Sequence, residues 1–275
     1  MRGFKNVMML EIKQNIRSIW FWAYTFLFAV FVAVLFILGI TESQIVGFVG
    51  LSRLMVTFMQ VVMVILPIYI LISTVRSLVG ERENNVMEYM LSLPISFSGY
   101  FWGKYLSKFF VIFTPVFLAL LGASIYGSII ALNVPWDLFG LYSVLIASMV
   151  VCFLGIGMYI SVVARTQNLA VSGAFIVWLF LVAFLDLILM GVMLKSDVNP
   201  EVIIGTGMLN PLQVFRTGAL ILFDQKLTVM GPASYYILDA VSRTVFIVFS
   251  VLQPILIGGL FAMLGSRYFK RHDIV

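Results

Sequence analysis

Charge is scarce in this chain. Only 11% of its 275 residues are Asp, Glu, Lys or Arg and 62% are hydrophobic, where a soluble domain carries about a quarter charged residues. Mean hydropathy is +1.11. Burying that much apolar surface in water would need a far larger core, so composition excludes an ordinary soluble domain and leaves a polytopic membrane protein. Cysteine is represented by Cys152 alone, set in an apolar run, so no disulfide framework forms within one chain. The one histidine, His272, lies at the C-terminal tail. A copper site built on thiolate or imidazole therefore has no ligand cluster. There is no His-Glu-x-x-His, no paired-Asp motif for phosphatidyl transfer and no Ser/His pair inside an apolar run, so an intramembrane enzyme lacks support. The net charge of +5 does not require nucleic acid, because basic residues collect on the cytoplasmic side of membrane proteins.

What the chain has is long apolar runs. Six helices are expected, at about 20–40, 56–79, 106–132, 138–163, 169–194 and 244–264, each able to cross a hydrocarbon layer of about 30 Å at about 1.5 Å per residue. The whole chain, 1–275, then reads as one transmembrane domain. Six crossings put both termini on one side. Of the 17 basic residues, Arg53, Lys195, Arg216, Lys226 and Arg243 fall on the other side and 12 fall with the termini, which predicts cytoplasmic termini and an extracytoplasmic segment at 195–243. Residues 1–19 predict a helix on the membrane surface: Phe4, Val7, Met8, Ile12, Ile16 and Ile19 recur at three- and four-residue spacing, with Lys5, Lys13 and Arg17 elsewhere on the wheel. No cleavable signal peptide is expected, since charge continues to Arg17 and the apolar stretch beyond is too long for one.

Between the second and third spans lies a polar island, 80–104, GERENNVMEYMLSLPISFSGYFWGK. Val86, Met90 and Leu93 share one helical face with Tyr89 beside them, and Glu81, Glu83 and Glu88 supply acid. Pro94 stops that helix, and Ser96 and Ser98 can cap the next. A short helix tied to two spans can pass a push from a soluble partner into the bilayer. A re-entrant or solvated connecting loop fits the same residues on physics alone.

The island resembles the signature of ABC-2-type transporter permeases, through Gly80, Glu81, Arg82, Glu83, Glu88, Tyr89, Leu91, Ser92, Leu93, Pro94, Ile95, Ser96, Gly103 and Lys104. Many relatives have Gly-Thr where this chain has Asn85-Val86. In that family the segment is a coupling helix that docks into an ATP-binding subunit. The resemblance implies an all-α, six-span, type V exporter-like permease in a prokaryotic inner membrane, working as a homodimer with separate ATPase subunits. Those subunits would hold ATP and magnesium, and this chain would carry no cofactor and do no covalent chemistry. Glu81, Arg82, Glu83, Glu88, Tyr89, Met90, Leu93 and Pro94 are then expected at the ATPase junction. The near match to a phosphate-binding loop, Gly99-Tyr-Phe-Trp-Gly103-Lys104, is one residue short and precedes Tyr105 rather than Ser or Thr; its aromatics would block a phosphate cradle.

The second informative region runs from 184 to 223. Asp186 lies nine residues before Lys195, roughly 13 Å along a helix, so it is expected inside the apolar layer. Such a carboxylate is a functional candidate by default; a structural hydrogen bond to Ser, Tyr or backbone of a neighbouring helix is the alternative. Asn210-Pro211 predicts a helix start with Asn210 as cap. Leu212, Phe215, Ala219 and Leu222 form an apolar stripe with Arg216 near it, so this helix is expected either as a lid on the spans or as a partner dock through Asn210, Pro211, Phe215 and Arg216. Met190, Met193, Met208 and Met230 suit flexible apolar filling more than a soft-metal path. Gly155, Gly157, Gly258 and Gly259 predict close helix contacts, and Pro67 and Pro115 predict kinks.

Asp186, Asn199, Pro200, Glu201, Asn210, Pro211, Phe215 and Arg216 together resemble a branch of the same family, the permeases that serve maturation of nitrous oxide reductase. That resemblance implies two permeases, two cytoplasmic ATPases, a periplasmic β-helix protein and a copper chaperone. The implied task is to supply a sulfur species, or to help load copper, for a copper–sulfide centre. A general exporter of another substrate, and a mechanical transducer that moves no cargo, are the alternatives.

Overall fold

In the computed structural model, residues 2–37, 51–91, 95–129, 136–184, 205, 207–223 and 242–272 are described. The elements are α1 (Arg2–Arg17), α2 (Ile19–Ile37), α3 (Leu51–Glu83), α4 (Val86–Leu91), α5 (Phe97–Ile129), α6 (Trp136–Val163), α7 (Gln167–Leu179) with a π-helical continuation (Phe180–Phe184), α8 (Pro211–Phe223) and α9 (Arg243–His272). Among the described residues, α3, α5, α6 and α9 are each long and apolar enough to cross a membrane, and α1 with α2 forms a pair bent by 66°. The run expected at 169–194 is described only to residue 184, as α7 and its π-helical end. Asp186 lies outside the described residues.

The most buried helix, α6, sits at the centre, packed on α9, α3, α5 and α8. Small residues set how close it comes to α9. A Cβ on Gly155 would stand 2.0 Å from the Gly258 carbonyl oxygen, and one on Gly258 would stand 2.3 Å from that of Val151. Backbone therefore meets backbone, the packing expected where dispersion rather than water exclusion holds helices together. Gly157 lets α3 approach through Thr74, while Gly259 faces open space. Pro67, Pro115 and Pro254 all lie inside continuous helices.

At the polar island two boundaries differ from expectation, for one reason. α3 continues through Glu83 and α5 begins at Phe97, so helix takes up both ends of the polar island. Hydropathy places a span's end where charge begins. Here the charged side chains find partners within the chain, so their helices have no cause to stop.

Candidate functional site

The site is built where α3, α5, α1, α6 and α7 come together at one end of the bundle. Lys104 is its centre. Its side chain is 2% exposed, and an ammonium so far from water is costly unless paired and hydrogen-bonded. Its Nζ donates to Glu11 Oε1 at 2.6 Å and to Glu81 Oε1. Tyr100, one turn earlier on α5, donates its hydroxyl to the other Glu81 oxygen at 2.5 Å, and its ring lies 5.2 Å from the Lys104 nitrogen. One lysine thus ties α1, α3 and α5 together. Gly103 makes this possible, since a Cβ there would press on Val7 of α1 at 3.1 Å and on the Phe4 carbonyl at 3.2 Å.

The next two residues of α3 hold the turn between α6 and α7. The Arg82 guanidinium donates to the carbonyls of Ala164 and Val162, which belong to the open end of α6. The Glu83 carboxylate accepts the Gln167 backbone N–H at 3.0 Å, at the start of α7. A cation at a helix C-terminus and an anion at a helix N-terminus both oppose the helix dipoles and satisfy orphaned backbone groups. Gly80 leaves room for this, with the Gln167 side chain 3.3 Å from where its Cβ would stand. Ser161 of α6 adds a tie by accepting from the amides of Leu78 and Val79 at 3.0 and 3.2 Å. The run Gly80-Glu81-Arg82-Glu83 is therefore a clasp: one gap and three charges that hold four other helices to α3.

Beyond the clasp the chain reverses. Asn84 donates its amide nitrogen to the Gly80 carbonyl at 2.8 Å, and Asn85 has φ 56°. That left-handed conformation suits Asn or Gly and penalises residues branched at Cβ. Position 85 is thus a helix-ending position that glycine would also suit, and asparagine meets its demand. Asn85→Val is expected to cost about 1–2 kcal/mol and Asn85→Gly close to nothing, read as the difference between their thermal midpoints in detergent.

The turn presents α4. Val86 is 41% and Tyr89 71% exposed, and Glu88 is exposed beside them. Met87 is buried and Met90 packs partly on the core. The structure thus separates the residues expected at the ATPase junction. Glu81, Arg82 and Glu83 bind their own chain, Met90 is half-buried, and Glu88 and Tyr89 with Val86 face outward. Leu93 and Pro94 lie outside the described residues. Glu11 went unrecognised in the sequence. The signal was there: an acid on the apolar face of α1, one turn after Val7.

At the opposite end, Pro211 opens α8 and the Asn210 side-chain oxygen accepts from the Leu212 amide at 3.0 Å, the start and cap read from the sequence. The Asn210 amide nitrogen donates to the Leu181 carbonyl at 2.7 Å. Asn210 and Phe215 are each 1% exposed and Pro211 is buried, while Arg216 is exposed. Three of the four expected partner contacts therefore face the chain's own core. The cause is that α8 is apolar on most sides: Leu212, Val214, Leu220 and Ile221 are buried along with Phe215, and the helix packs among α3, α6 and α9. Among the described residues, no group of three or more His, Cys, Asp or Glu could hold a metal. Met208 packs partly on the core.

The profile of the ABC-2 family transporter proteins matches residues 5–273. A protein of Stutzerimonas stutzeri named "Probable ABC transporter permease protein NosY" is 23% identical over 235 residues, covering 83% of this chain and 85% of its own length. A protein of the same name from Pseudomonas aeruginosa is 22% identical over 222 residues, covering 78% and 80%.

Proposed function

The chain belongs to the ABC-2 family of transporter proteins, and on that premise we propose that a separate ATPase seats on the outward face of α4 and drives the spans through the clasp behind it. The observation that carries this reading is the division of the signature between an outward-facing trio on α4, Val86, Glu88 and Tyr89, and a trio at the end of α3 that bonds other helices, Glu81, Arg82 and the exposed Glu83. Exposed aromatic and acidic side chains are what a basic groove on a partner would grip. Charges locked onto α1, α5, α6 and α7 are what would carry a displacement of α4 into the bundle. ATP and magnesium belong to the partner in this reading, and two copies of the chain pair in a prokaryotic inner membrane with both termini in the cytoplasm.

The likeness to the two NosY permeases supports a finer proposal. The complex serves maturation of nitrous oxide reductase by periplasmic delivery of a sulfur species or copper-related cargo, with a β-helix protein and a copper chaperone as periplasmic partners. A mechanical variant, in which no cargo crosses this chain, has one observation in its favour. Where Arg216 of α8 meets α3, two cavities lined by described residues measure about 20 and 10 Å³, room for about one water. Because α8 is seated among α3, α6 and α9, a stroke of those spans would reposition Arg216.

Mild-detergent purification of the tagged chain from its native membrane, followed by mass spectrometry, tests the proposal. A Walker-motif ATPase together with a secreted β-helix protein is the expected result. An ATPase alone would reduce the finer proposal to a general exporter. A preparation that keeps other complexes intact and yields no ATPase would overturn the reading of α4.

A further inference from the structure

A cavity of about 600 Å³ lies in the crook of the α1–α2 bend and has no part in the clasp. Its size falls in the range of small-molecule sites, about 300–1,000 Å³. Two kinds of surface meet there. Ile68 and Ile72 of α3 form an apolar wall with Trp20 at the bend, and Arg76 and Lys108 supply two cations. Lys108 is 8% exposed, yet its ammonium makes one hydrogen bond, to the Ser73 carbonyl at 3.1 Å. Among the described residues, two of its three donors have no acceptor. The carboxylates of the neighbouring clasp, Glu11 and Glu81, are both engaged by Lys104. Arg76 is exposed at the mouth and makes no ion pair among the described residues. Counted with the clasp, three cations (Lys104, Lys108 and Arg76) stand against two carboxylates (Glu11 and Glu81), which leaves one positive charge in surplus, set against an apolar wall.

The height of the site narrows the ligand. Arg76 precedes Glu81 by five residues, about 7–8 Å along α3, and the bend at Ser18 marks where the chain turns from α1 into the apolar α2. Trp20, 75% exposed there, is the residue type that settles at headgroup level. A soluble anion would use the two cations and leave the wall unfilled. A zwitterionic lipid would bring a third cation to a site that already holds two.

We propose that this cavity binds an anionic phospholipid, with its phosphate between Arg76 and Lys108 and the start of an acyl chain along Ile68 and Ile72. The bound lipid would brace the α1–α2 bend against α3 and α5, next to the clasp. This goes beyond the assignment of an ATPase partner and does not depend on it.

The test uses the purified full-length chain, delipidated in mild detergent and titrated with dioleoyl phosphatidylglycerol, dioleoyl phosphatidylcholine or inorganic phosphate. Retention is read by native mass spectrometry. Phosphatidylglycerol is expected to stay bound with clear preference, and Arg76→Gln to weaken it about fivefold, one basic residue's share of headgroup attraction. Lys108→Met, which keeps the apolar stem, is expected to do the same, and Arg267→Gln on exposed α9 to change nothing. Because Arg76 is exposed, its replacement does not compromise folding and the test stands on that variant alone. Equal retention of the two lipids, no change in Arg76→Gln, or inorganic phosphate matching the lipid at the same concentration would each overturn the proposal.

Discussion

Lys104→Met is expected to destabilise the chain by about 3–5 kcal/mol, the usual result of removing one partner from a buried ion cluster. Methionine fills the lysine's space but strands two carboxylates. Glu11 is 7% exposed, and Glu81 would keep only the Tyr100 hydroxyl on its other oxygen. In detergent the thermal midpoint should fall by roughly 10 °C. The triple variant Lys104→Met, Glu11→Gln, Glu81→Gln separates lost attraction from stranded charge. Replacing a whole buried cluster is often neutral or better, so the triple variant should recover more than half of the loss. If single and triple variants fall equally, Lys104 acts through its packing, and the electrostatic tie between α1, α3 and α5 is not what holds this end of the bundle.

Glu88→Lys combined with Tyr89→Ala is expected to weaken ATPase binding about a hundredfold or more. An aromatic at the centre of an interface is worth about 2–4 kcal/mol, and a reversed charge adds repulsion. Neither side chain is part of the buried core, so the chain's own stability should move by about 0.5 kcal/mol or less. Glu83→Gln should behave in the opposite way. Its carboxylate caps α7 while the outward face of α4 stays intact, so the ATPase should still bind and hydrolyse ATP but with weakened control over the spans. Binding by pull-down and hydrolysis in reconstituted vesicles distinguish the two. If both variants lose the ATPase alike, the separation of the signature into docking and transmitting residues fails.

Much of this was legible in the sequence and the rest was hidden for physical reasons. The apolar runs marked α2, α3, α5, α6 and α9 because a bilayer demands length and hydropathy, which single windows of sequence reveal. Asn210-Pro211 marked the start of α8 because capping is local. Gly155 and Gly258 read as contacts because only small residues let backbones meet. The clasp was not legible, since pairing Lys104 with both Glu11 and Glu81 joins residues far apart in the chain, and no spacing rule connects α1 to α5. Glu81 and Glu83 look like surface acids in a polar island, and only the packing of α1 and of the α6–α7 turn reveals their partners. The placement of α8 was obscured in another way. Its apolar stripe with one arginine fits a helix lying on a surface, and the burial of Val214 and Ile221 on the other side appears only once α3, α6 and α9 surround it.

The most direct test of the central claim uses the chain's shortage of cysteine. Cys152 is fully buried in α6, so Val86→Cys, which keeps Glu88 and Tyr89 in place, introduces the only accessible thiol among the described residues, on the outward face of α4. A maleimide–benzophenone crosslinker placed there in native membranes should, on illumination, yield an adduct with a Walker-motif ATPase. Labelling of that thiol with no ATPase adduct, in membranes that contain the ATPase, would contradict the claim that α4 is where the motor sits.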